Sequence, residues 1–138
     1  MSIPNCFYRI SIKALVLDEQ GRVMLVREDN NKWELPGGGL DHGEDIRKGL
    51  VREIKEEMGL EVTYMAETPS YFFTFVAEKS KQWMSNVVYE VKLKDLDFTP
   101  SDECQEIRFV TKEEAKTLNL FPNIREFIEN NFDLRNHI

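Results

Sequence analysis

Hydrophobic positions along the chain change their period several times, and each change marks an element. Tyr8 to Leu17 and Val23 to Arg27 are apolar and β-branched, and Asp18-Glu19-Gln20-Gly21 between them reads as a hairpin turn. The period then switches. Ile46, Leu50, Val51, Ile54 and Met58 recur at roughly 100° per residue and form one apolar stripe of a helix. Strand-like segments return at Glu61 to Met65, Tyr71 to Glu78, Asn86 to Leu93 and Ile107 to Val110. Thr111-Lys112-Glu113-Glu114 has the form of a capping box opening a short helix. Pro122 suits the first position of a last helix running to about Asn131, with Ile124, Phe127 and Ile128 on its apolar side. Hairpins mixed with a helix between strands predict an α+β domain, a mixed β-sheet flanked by helices. The order of elements alone leaves the topology open.

Local signals bound the central helix. Asp45 is the expected N-cap, with Asp41 as its rival, and Gly59 suits the left-handed position past the last turn. Gly49 is an interior glycine, which costs about 1 kcal/mol relative to alanine and marks close packing against a sheet. The preceding Leu35-Pro36-Gly37-Gly38-Gly39 reads as a loop whose glycines allow close backbone approach.

The polar positions of this helix carry the candidate chemistry. Glu53, Glu56 and Glu57 share one side, and like charges at that spacing repel by a few tenths of a kcal/mol per pair. A hard divalent cation, which takes oxygen ligands, would offset that repulsion. The plain alternative is a solvated face. Against it, the three glutamates fall along the border of the apolar stripe, where a cleft can form. Arg52 lies beside Glu53 and Glu56, and its guanidinium can hold a carboxylate as a bidentate partner.

Composition narrows the class. With 138 residues, 41% hydrophobic and 31% charged, the chain suits one domain with one core. No stretch approaches a membrane span and the segment MSIPNCFYRI lacks the features of a signal peptide, so a cytoplasmic location is the default expectation. Cys6 and Cys104 are too few for a disulfide framework and read as idle thiols. A net charge of -7 and a pI near 4.9 argue against an extended nucleic-acid surface. A small phosphorylated substrate is compatible, because a bound metal ion can dominate the local charge.

Gly38, Glu44, Arg52, Glu53, Ile54, Glu56, Glu57, Gly59 and Leu60 fit the pattern G-x5-E-x7-R-E-U-x-E-E-x-G-U, where U is a bulky aliphatic residue. This resembles the Nudix box, and Trp33-Glu34-Leu35-Pro36-Gly37-Gly38 is similar to the segment that leads into it. The resemblance covers about residues 33 to 60. It implies an α/β/α sandwich and a Mg²⁺-dependent or Mn²⁺-dependent pyrophosphohydrolase. By resemblance, Glu53, Glu56 and Glu57 are metal ligands, the carbonyl of Gly37 or Gly38 adds another, Arg52 orients the acids and Glu44 supports them. A further acid from outside the box is expected at Glu103, with Glu106 as its rival; Glu53 is the other candidate for general base.

The resemblance leaves the substrate open. Phe75-Val76-Ala77-Glu78 carries neither the proline of ADP-ribose hydrolases nor the tyrosine of dinucleoside polyphosphate hydrolases. A nucleoside triphosphate giving monophosphate and pyrophosphate is the leading candidate. Arg27, Tyr8 and Phe75 are candidate substrate contacts; Lys79 and Lys81 can assist. Phe7, Phe73, Trp83 and Tyr89 offer either a stacking surface or core. His42 reads as a solvent-facing loop residue and His137 as a mobile terminus. The alternatives are a non-catalytic nucleotide-sensing domain, a hydrolase of a non-nucleotide diphosphate, and an isomerase of a prenyl diphosphate. A monomer and a homodimer are both compatible with the sequence.

Overall fold

A computed structural model describes residue 2 and residues 4–137 of the chain. Strands β1 (Arg9–Leu15) and β2 (Val23–Arg27) flank the Asp18 turn, in which the Asp18 carboxylate accepts from the N–H groups of Gln20 and Arg22 and Gly21 takes φ 76. Then come β3 (Trp33–Glu34), β4 (Gly37–Gly39), helix α1 (Ile46–Met58), β5 (Val62–Met65), β6 (Tyr71–Val76), β7 (Trp83–Leu93) and β8 (Glu106–Val110). Short helices α2 (Lys112–Ala115) and α3 (Pro122–Glu126) follow, the latter running into a π-helical turn at Phe127–Asn131.

The strands form two sheets. One runs β4-β1-β7-β5, with β6 also on β7; the other runs β3-β2-β8. The β1–β7 pair is parallel and the remaining pairs are antiparallel, so the pattern is mixed as the sequence predicts. Each sheet contributes to two cores. Ile12, Ala14, Met24 and Val26 pack with Leu50, Ile54 and Met58 of α1, while Leu15, Val23, Leu25 and Val88 pack with Ile124, Phe127 and Ile128. Alternation along β1 sends Ile12 and Ala14 toward α1 and Leu15 to the other side, the period of two expected of a strand buried on both faces.

Several expectations are corrected. Gly37–Gly39 is a strand rather than a loop: Lys13, Ile12 and Ser11 pair with Gly37, Gly38 and Gly39. A side chain at Gly37 would run into the Ile12 carbonyl, and its φ of 125 is hostile to other residues, so close approach and backbone conformation both demand glycine. Val51 is exposed, because the stripe of α1 is narrower than the sequence suggests. His137 is not a loose end: its side chain is 4% exposed, with Nε2 2.8 Å from the Tyr71 hydroxyl and Nδ1 2.9 Å from Glu90. The capping box is present, Thr111 accepting from Glu114 N–H while the Glu114 carboxylate accepts from Thr111 N–H.

Candidate active site

Helix α1 is fixed at both ends by the residues expected to do so. The Asp45 carboxylate accepts from the N–H groups of Arg47 and Lys48, each at 3.0 Å, and Gly59 takes the left-handed conformation at φ 69. Gly49 faces β1, where a Cβ would lie 2.9 Å from Ile12 Cδ1 and 3.0 Å from a Glu44 oxygen. That close contact brings α1 against β1 and β4.

Arg52 organises the acids around it. Its Nε and Nη2 donate to the two oxygens of Glu44 at 2.6 and 2.8 Å. Its Nη1 donates to Glu53 at 3.1 Å and Glu56 at 3.0 Å, and Nη2 also reaches the Gly39 carbonyl at 3.3 Å. Arg52 and the Asp41 N–H hold the Glu44 carboxyl down, to about 2. A guanidinium spread over three carboxylates is a fixed scaffold rather than a surface pair, since one ordered side chain serves every contact.

The three box glutamates differ in depth. Glu56 is 60% exposed, Glu53 12% by side chain, and Glu57 only 4%. Glu57 is therefore buried rather than on the border of the apolar face. Burial pushes its carboxyl up to about 8, a rise that Lys13 opposes and the charge of Glu103 reinforces. One of its oxygens, Oε1, is buried without a hydrogen-bond partner among the described residues. Burial also raises Glu53, with Arg52 opposing. Gly38 leaves room for Glu53, whose carboxylate would meet any Cβ there.

Residues the box does not contain complete the cluster. Lys13 is a buried cation on β1, its Nζ 3.5 Å from the Gly37 carbonyl and 3.8 Å from the buried Glu34 carboxylate. Glu28, half-buried just past β2, is raised by burial first and then by the charge of Glu34. Glu103 is exposed, yet its charge bears on Glu28, Glu53 and Glu57 together. Glu106 instead begins β8 and is engaged with Arg27 at 3.3 Å and Arg108 at 3.2 Å. Arg27 is thus committed to an ion pair. Lys13, Glu28 and Glu34 escape pattern reading as site residues; the available signal is a lysine within the apolar run Ile12-Lys13-Ala14-Leu15, because a charge there must find a buried partner.

Phe75 lines a cavity next to Lys13 and Glu34. Tyr8 lies on a separate cavity with Asp41, His42 and Glu44, its ring 6.0 Å from Trp83 and edge-on to it. Phe73 stacks on Phe127 in the core, and Tyr89 is buried beneath α1. Cys104 is buried, and burial pushes its thiol up to about 12, which makes it inert as a nucleophile.

Among the described residues no three His, Cys, Asp or Glu side chains converge as a ready-made metal cage. The donor chemistry nevertheless fits a hard divalent ion. Carboxylates at graded depth, an unpartnered buried carboxylate oxygen and strand carbonyls at Gly37 and Gly38 supply oxygen donors, and Mg²⁺ characteristically takes only one or two carboxylates, with phosphates and waters supplying the rest.

The profile of the NUDIX domain matches residues 7–130, and the chain belongs to the Nudix hydrolase family. The nucleoside triphosphatase NudI of an Enterobacter species is 31% identical over 96 residues, covering 64% of this chain and 68% of that protein. An RNA pyrophosphohydrolase of Campylobacter jejuni is 37% identical over 71 residues, 46% of each chain. A Nudix hydrolase of Arabidopsis thaliana matches over 44% of this chain but only 22% of its own length, at 37% identity. The crystal structure of a MutT protein from Methanosarcina mazei superposes with a TM-score of 0.77 at 25% identity, covering 98% of both chains. The chain spans less than half the length of two of these three sequence relatives.

Proposed function

We propose that this chain is a divalent-metal-dependent pyrophosphohydrolase acting on a nucleoside diphosphate derivative, with a nucleoside triphosphate cleaved to monophosphate and pyrophosphate as the first candidate. The observation that carries the reading is Glu57: a buried carboxyl with an unpartnered oxygen, beside acids held by Arg52. An uncompensated buried carboxylate is unfavourable unless a ligand compensates it.

In this reading Glu53, Glu56 and Glu57 hold Mg²⁺, with Mn²⁺ as the alternative, together with the carbonyl of Gly37 or Gly38. Such an ion neutralises charge on the diphosphate oxygens and makes water a better nucleophile at neutral pH. The protein does the positioning. Arg52 fixes the directions of Glu53 and Glu56, and Glu44 fixes Arg52. Glu103, whose charge bears on the same acids, is the candidate to accept the proton of the attacking water; Glu106 is occupied by Arg27 and Arg108. NudI's name, a nucleoside triphosphatase, supports the substrate class. A cytoplasmic enzyme of one domain completes the proposal; among the described residues no helix is long and apolar enough to cross a membrane.

The test is a panel of nucleoside triphosphates, sugar nucleotides and dinucleotides with Mg²⁺ or Mn²⁺, detecting pyrophosphate and phosphate separately. Pyrophosphate release from a nucleoside triphosphate is expected. No release from any member of the panel would refute the hydrolase reading.

A further inference from the structure

Strand β6 leaves one edge of the larger sheet open. Among the described residues it pairs with β7 alone, Tyr71 opposite Val88 and Val76 opposite Trp83. Just past it the Ala77 N–H donates to the Gln82 carbonyl. Hydrogen-bonded and non-hydrogen-bonded pairs alternate along an antiparallel ladder, so Phe72, Thr74 and Val76 turn their N–H and C=O groups outward, away from β7. Such an edge is a template for another strand.

The devices that keep an edge strand from pairing are missing here. Tyr71–Val76 contains no charge, proline or glycine, a composition that pairs edge to edge readily. Phe72 is 67% and Val76 44% exposed, and Trp83, opposite Val76 on the same face, is 51% exposed. At roughly 150–250 Å² for a whole aromatic side chain, these three leave about 300 Å² of apolar surface in solvent. In a chain of net charge -7, residues 68 to 77 carry no charge at all. The flanks differ in sign. Glu67 stands exposed before the strand, while beyond it Glu78 is held by Lys32 at 2.8 Å, which leaves the exposed Lys79 and Lys81.

We propose that the outer edge of β6 is a self-association surface, on which a second copy of this chain pairs antiparallel about a two-fold axis at Thr74. That register sets Phe72 opposite Val76 of the second copy, Phe73 opposite Phe75, and Thr74 opposite itself. Aromatic pairs, aromatic with β-branched pairs and Thr–Thr pairs are cross-strand contacts that stabilise a sheet. The same axis brings Glu67 of each copy toward Lys79 and Lys81 of the other, so the flanks attract twice. The uncharged stretch between them lets two acidic molecules approach. Because the contact is isologous, each β6 edge is used up by the other and growth stops at the dimer. The apolar area is small for an interface, so the dimer dissociates on dilution, with a Kd of about 1–100 μM. The inference is independent of the hydrolase reading.

Sedimentation equilibrium of the wild type over roughly 1–500 μM is expected to show a monomer–dimer equilibrium. Thr74→Lys sets like charges opposite each other and should raise Kd by at least about tenfold with the melting temperature kept. Hydrogen-bonded partners across antiparallel strands have Cα atoms about 5.5 Å apart, within reach of a disulfide. Cys6 is exposed, so the cysteines are introduced in a Cys6→Ser background. There Thr74→Cys should be captured as a disulfide-linked dimer under mild oxidation, and Phe72→Cys, which faces Val76 rather than itself, should not. A wild type that stays monomeric over the whole range overturns the proposal, as do species larger than a dimer. A Kd unmoved by Thr74→Lys also overturns it, as does equal capture of the two cysteines. Should Thr74→Lys fail to fold, the contrast between the cysteine variants decides.

Discussion

Arg52 grips Glu44 with both edges of its guanidinium, Nε to Oε2 at 2.6 Å and Nη2 to Oε1 at 2.8 Å, across eight residues of sequence. This pair ties the loop before α1 to the second turn of the helix. It also leaves Nη1 free to hold Glu53 and Glu56. The acids are therefore aimed by a residue that itself has only one comfortable position.

Replacing Arg52 by lysine keeps the charge and removes the fork. A point-like ammonium cannot span Glu44, Glu53 and Glu56 at once. Turnover is expected to fall by roughly tenfold to a hundredfold, the usual effect of loosening the residues that orient a metal's ligands. Initial rates at saturating metal check this; a wild-type rate would show that the fork is dispensable.

Glu57→Gln should nearly abolish hydrolysis and leave the fold intact, since the amide matches the shape of the neutral carboxyl that burial favours. The pH dependence has a definite sign. A carboxyl raised from 4.5 to about 8 in the folded state stabilises the fold fully below pH 4.5, and this contribution is lost as pH rises through about 8. Metal-free wild type should therefore lose on the order of a few kcal/mol across that window relative to Glu57→Gln. Urea denaturation with chelator at several pH values checks it, and parallel pH profiles for the two proteins would contradict it.

Glu103→Gln and Glu106→Gln separate the two candidate acids. The first should reduce kcat strongly, by about a hundredfold if it serves as general base. The second breaks half-exposed ion pairs with Arg27 and Arg108, which contribute about 0–1 kcal/mol to stability, and should leave kcat near wild type. The reverse order in kcat would exchange their roles.

Gly37→Ala and Gly38→Ala should fail differently. At Gly37 the methyl group meets the Ile12 carbonyl and φ is 125, so the expected loss is about 3 kcal/mol of stability, read as a drop in melting temperature. At Gly38 the obstacle is the Glu53 carboxylate, a movable side chain. The fold should survive there while activity falls, as paired melting and rate measurements would reveal.

The box spacing, the Asp45 and Gly59 caps and the apolar period of α1 are local, and each is legible in the sequence because a helix turns neighbours three and four residues apart onto one face. The same locality gives the Asp18 turn and the Thr111 capping box. What locality cannot supply is which distant segments meet. Lys13 and Glu28 come to bear on Glu57, and Glu34 on both of them, only because β1, the end of β2 and β3 are brought near α1, and Gly37–Gly39 becomes a strand only because β1 offers it a partner. Depth is equally tertiary: the three box glutamates are the same residue type on one helix, yet packing against β4 buries Glu57 and leaves Glu56 in solvent. The sequence by itself determined the helix, its caps and the set of acids. The tertiary structure decided which acid is desolvated and which cation faces it, because burial and electrostatic coupling depend on distances between residues far apart in the chain.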